Sequence, residues 1–116
     1  MSQRLRILLV TDNELLAYQL TSALLDRAEV TFVLTQGEAL ARVARGERYG
    51  LLLCSLELRT SLSLHAAICR RNAKLAGNML IFDRRQVRQV IEMARSLDVG
   101  HRSGRDGSAR LSSSQA

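Results

Sequence analysis

Tyr49-Gly50-Leu51-Leu52-Leu53-Cys54-Ser55-Leu56-Glu57-Leu58 is an apolar run entered through a glycine and followed by a charged residue. So short a run, with no alternation of polar and apolar residues, suits a strand buried on both faces, as in a parallel sheet. Working outward, Arg4-Leu5-Arg6-Ile7-Leu8-Leu9-Val10 is a second such run, closed by Thr11-Asp12-Asn13. Glu29–Leu34 is rich in β-branched residues and predicts another strand, and Met79-Leu80-Ile81-Phe82 a fourth. Between them, helical spacing predicts helices over 14–27, 38–48 and 61–76, and a last one over 85–97 with Val87, Val90, Ile91 and Ala94 inward. Asp12 or Asn13 can cap the first of these. The order βαβαβαβα predicts a parallel sheet covered by helices on both faces.

With 116 residues, 47 % of them apolar and only 3 % aromatic, the chain supports one domain with an aliphatic core. Proline is absent, so Gly, Asn and Asp must supply the breaks. From Gly100 onward Gly, Ser and Arg dominate. This divides the chain into a domain over 1–100 and a basic tail over 101–116, expected to be disordered. The net charge is +6, and it is unevenly spread: residues 1–83 carry ten basic and eight acidic side chains, residues 84–116 seven and three. Cys54 and Cys69 are too few for a disulfide framework and read as small hydrophobes in a reducing compartment. No apolar run has the length of a membrane span, and none near the start looks like a signal peptide, which leads us to expect a cytoplasmic protein. Neither His65 nor His101 has metal-ligand neighbours, and no glycine-rich phosphate loop follows the first strand. No metal, cofactor or catalytic set is therefore expected.

Ile7–Asn13 is similar to the first strand and acidic cluster of bacterial response-regulator receiver domains. Tyr49–Leu58 resembles their third strand, and Leu97-Asp98-Val99-Gly100 the turn that closes their fourth helix. The resemblance covers residues 4–100 and implies a flavodoxin-like (CheY-like) fold, truncated to four strands in the order 2-1-3-4.

The resemblance also implies what has been lost. A working receiver holds Mg²⁺ with carboxylates at the ends of its first and third strands, and the metal and a lysine offset the charge of the transferred phosphoryl group. Here Thr11 stands at one acidic position, leaving Asp12 beside neutral Asn13, and Ser55 stands where the phosphate-accepting aspartate belongs. Asp83 takes the place of the hydroxyl-bearing switch residue, and the fifth strand with its lysine has no counterpart. Thr11, Asp12, Asn13, Ser55 and Asp83 thus form a degenerate phosphorylation pocket. Ser55 reads as a small polar residue within it.

Without a fifth strand the fourth becomes an edge, and the helix after it is expected to leave part of its apolar stripe bare. The expected partner or dimer surface is Met79, Ile81, Arg84, Arg85, Arg88, Ile91 and Arg95, with the arginines on the outer side of that helix. The resemblance then implies a phosphorylation-independent, non-enzymatic interaction module of two-component-type signalling or transcriptional regulation, acting on a protein partner or as a homodimer. The alternative is a nucleic-acid-associated regulator using the arginines of the last helix and the tail.

Overall fold

The computed structural model describes residues 4–103. Four strands, β1 (Leu5–Thr11), β2 (Ala28–Val33), β3 (Leu51–Ser55) and β4 (Met79–Ile81), form one sheet in the order β2-β1-β3-β4. Every pairing is parallel. The fold is the flavodoxin-like α/β arrangement that the sequence predicts.

The uninterrupted apolar runs are explained by burial on both faces. Ile7 and Leu9 of β1, with Leu51 and Leu53 of β3, point into a core under α1 (Glu14–Leu24) and α5 (Val87–Ser103). Their neighbours Leu8, Val10, Leu52 and Cys54 point the other way, against α2 (Gln36–Ala44), α3 (Leu58–Arg71) and the one-turn helix α4 (Ala73–Ala76). Thr11 is also fully buried.

Local chemistry sets the boundaries. Asn13 caps α1 by accepting from the Leu16 N–H at 3.1 Å, and Thr35 caps α2 through the Glu38 N–H at 3.2 Å. Gly46, at φ +87°, terminates α2 in the left-handed region where a side chain would be strained. The helix predicted over 61–76 is in fact two. Asn72 leaves helical geometry (φ −154°, ψ 85°), and its side chain accepts from the Leu75 N–H at 3.0 Å to start α4 afresh. The last helix continues to Ser103, past the Gly100 boundary, since a single glycine costs a helix about 1 kcal/mol and need not end it. The expectations for the tail beyond Ser103 and for the His101 side chain lie outside the described residues.

The last helix corrects a second expectation. Its apolar stripe is not bare: Val87, Val90 and Ala94 are buried, and Ile91 and Met93 pack against the same core. Arg95 does not face outward. It reaches α1, donating to the Ala23 carbonyl at 3.0 Å and lying 3.6 Å from the Asp26 carboxylate. A four-stranded sheet closes its core because this helix packs directly beside α1.

The loop between α2 and β3 is held by a small polar cluster. Glu47 accepts from Tyr49, Arg45 and Arg42, while the Arg6 guanidinium sits 5.1 Å from the Tyr49 ring centre. The Tyr49 hydroxyl, followed by the Arg45 guanidinium, holds the Glu47 carboxyl down at about 2. A carboxyl whose folded value is depressed stabilises the fold above its ordinary value near 4.5, and loses that contribution as pH falls toward 2. Thermal melts from pH 6 to pH 2 should therefore show a smaller acid loss in Glu47→Gln than in the wild type. Parallel curves would show that this carboxyl is not held down.

Candidate functional site

In open parallel sheets, ligands bind beyond the carboxyl ends of the strands where the strand order reverses. Here the chain steps outward from β1 to β2, returns past β1 to β3 and continues to β4, so the reversal lies between β1 and β3. A cleft of about 240 Å³ lies there, lined by residues including Asp12, Asn13, Ser55, Phe82, Asp83 and Arg84.

The pocket residues named from the sequence are thus brought together, with one exception and with different duties. Thr11 is buried beneath the cleft, its hydroxyl accepting from the Asn13 N–H at 3.1 Å, and does not line it. Asn13 is committed to the α1 cap. Asp83 caps the 3₁₀ turn Arg84–Gln86: it accepts from the Arg85 N–H at 2.9 Å, while Gln86 accepts from the Asp83 N–H at 3.0 Å. Asp12 is exposed and makes none of these capping bonds. Ser55 ends β3 half-buried.

A buried polar pair, missed in the sequence, fixes the floor. The Cys54 thiol donates to the Ser61 hydroxyl at 3.3 Å, and Ser61 donates to the Leu56 carbonyl at 3.3 Å. This ties the first turn of α3 to the end of β3 and so sets where Ser55 stands. Burial pushes the Cys54 thiol upward, so it is a poor nucleophile. Cys69, expected to be a small hydrophobe, is exposed because it falls on the outer side of α3.

The donor set does not fit a hard divalent cation. Of the two carboxylates lining the cleft, Asp83 is already engaged as a cap, and Ser55 contributes a neutral hydroxyl. Among the described residues no group of three His, Cys, Asp or Glu side chains could hold a metal ion. The polar side chains lining the cleft are Asp12, Asn13, Ser55, Asp83 and Arg84.

The expected partner surface proves to be several surfaces. Met79 and Ile81 are half-buried against the α3 side of the sheet, whereas Ile91 packs on the α1 side. Arg84 and Arg85 are exposed at the carboxyl end, Arg84 lining the cleft. Arg88 is exposed on the side of α5 it shares with Arg95, seven residues on. The edge itself is real but short. Asn78 O and Phe82 N bond to β3, and the alternation of a parallel ladder then turns the backbone groups of Met79 and Ile81 outward. A second apolar surface went unnoticed: Leu15, Tyr18 and Leu25, exposed at 77 %, 72 % and 66 %, line the side of α1 opposite its buried stripe. The signal was present in the sequence as a second set of apolar residues at helical spacing.

No family model and no curated protein matches this chain. Among solved structures it is similar to one in which the yeast Spc42 trimeric coiled coil, amino acids 181–211, is fused to another structure. That likeness has a TM-score of 0.53 at 21 % identity and covers 97 % of this chain and 91 % of that one, which supports the fold alone. No helix among the described residues is long and apolar enough to cross a membrane.

Proposed function

We propose that this is a receiver-like domain that has given up phosphoryl transfer and serves as a cytoplasmic protein-interaction module in two-component-type signalling or transcriptional regulation. The observation that carries the reading is the cleft at the strand-order reversal, with Ser55 at the end of β3 and Asp83 committed to a helix cap. The scaffold is intact around chemistry that is no longer assembled. Interaction falls to the β4 side of the sheet, where the outward backbone groups of Met79 and Ile81 offer a short edge beside Arg84 and Arg85. A second copy fits such an edge by two-fold pairing, extending the sheet across both protomers.

Incubation with acetyl phosphate and Mg²⁺ should leave the intact mass unchanged, and light scattering at micromolar concentration should give a dimer. Ile81→Pro, which removes an outward N–H and leaves the bonds to β3 in place, should shift that dimer to monomer. A mass gain of one phosphoryl group sinks the loss of phosphotransfer, and a wild-type monomer with no captured partner sinks the edge.

A further inference from the structure

Charge is segregated along the strand axis. The carboxyl end of the sheet carries Asp12, Glu14, Glu38, Glu57 and Asp83 against Arg59, Arg84 and Arg85, a surplus of carboxylates. The opposite end, where strands begin and helices finish, carries few carboxylates among the described residues, and these are already neutralised. Glu29 is met by Arg6 at 3.3 Å, Asp26 by Arg27 and Arg95, and Glu47 by Arg42 and Arg45. Arg48, Arg70, Arg71 and Lys74 are left over, all exposed and without an ion pair among the described residues. They come from the α2–β3 loop, the last turn of α3 and α4, elements gathered at one end of one face by the parallel topology.

Helix dipoles favour cations in the last turn of α3, but that accounts for Arg70 and Arg71 and not for Arg48 in a loop. We infer that this amino end of the α2/α3 face is a docking surface for the phosphate backbone of nucleic acid. Three features select that partner. The cations are mostly arginines, whose planar fork matches phosphate oxygens. The elements presenting them are helix ends and a loop, which can follow a backbone but cannot enter a groove, so binding is indifferent to sequence. An anionic membrane would need apolar side chains to insert, yet of the large exposed apolar residues only Leu25 lies at this end. The surface lies at the other end of the sheet from the β4–Arg84 region, so each can fail alone.

The test is fluorescence anisotropy of the full chain on a labelled 20-base-pair DNA duplex of arbitrary sequence, across about 50–200 mM salt. Four phosphate contacts predict a slope of log affinity against log salt of about −3 to −4. The Arg48→Glu/Arg70→Glu/Arg71→Glu/Lys74→Glu variant should bind at least about 100-fold more weakly at the lowest salt, with its melting temperature checked first. Should that variant fail to fold, the four Gln replacements should still flatten the slope to near zero. Arg59→Glu/Arg88→Glu, which reverses two exposed arginines outside both the β4–Arg84 region and this surface, should stay within about threefold of wild type. The proposal is overturned if the wild type fails to bind at low salt, or if the two charge-reversed variants lose affinity equally. It is equally overturned if phosphatidylserine vesicles bind more tightly than the duplex at equal salt.

Discussion

Leu53→Ala lowers the unfolding free energy by about 3–5 kcal/mol, and the melting temperature by at least about 10 °C. Leu53 is the central residue of β3, fully buried, paired to Leu9 on one side and Leu80 on the other. Its side chain enters the core shared by α1 and α5, where close-packed helices cannot collapse into the space that truncation leaves. A domain of this size has about 5–15 kcal/mol to lose, so a substantial share of the total disappears with one side chain. Leu15→Ala, removing a leucine that is 77 % exposed, should change stability by less than about 0.5 kcal/mol. Urea titrations of both variants check the pair. A cost below about 1 kcal/mol for Leu53→Ala would mean that β3 is set in another register.

The second large effect comes from putting carboxylates back. In Thr11→Asp/Ser55→Asp, the first substitution places a charge at a fully buried position, and the second adds one at a half-buried strand end facing the cleft. An unpaired carboxylate at position 11 costs about 2–4 kcal/mol at neutral pH, because burial penalises its charged form. With Asp12 and Asp83 the variant holds four carboxylates at or beneath the strand-order reversal, the donor type Mg²⁺ prefers. Metal at about ten times its dissociation constant would return about 1.4 kcal/mol. The melting temperature of the variant should therefore fall by about 10 °C and recover by several degrees in millimolar Mg²⁺, while the wild type stays unmoved. Absence of any Mg²⁺ response beyond that of sodium at equal ionic strength would remove the likeness to a receiver pocket.

The sheet was legible because burial on both faces leaves a mark that short-range reading detects: Ile7–Val10 and Leu51–Cys54 contain no polar residue. Three other features depended on spatial neighbours. The break at Asn72 was hidden because Leu64, Ile68 and Leu75 keep an apolar stripe running through it, while the cap that restarts the helix is a single side-chain bond. Arg95 reads in the sequence as an outward arginine of the partner surface because its acceptor, the Ala23 carbonyl, is 72 residues away. By sequence the basic surplus falls in the last third of the chain, where the count is most lopsided. Folding instead collects unpaired cations from three separate segments at one end of the sheet. In the pocket, Asn13 and Asp83 line the cleft as caps and Thr11 lies beneath it, and nothing local in the sequence distinguishes these duties.

The Arg95 contact with α1 has a consequence for the order in which the molecule comes together. β1, β2 and β3 with α1 and α2 form a contiguous unit in which each element meets a near neighbour in sequence. α5 must close the longest loop in the domain to reach α1, and it is fastened by one guanidinium and a modest apolar stripe. Loop closure of that length is an entropic cost met late, and the element that docks last is the one that opens first. Under native conditions the amides of α5 therefore exchange through partial opening, at a lower free energy than those of β1 and β3.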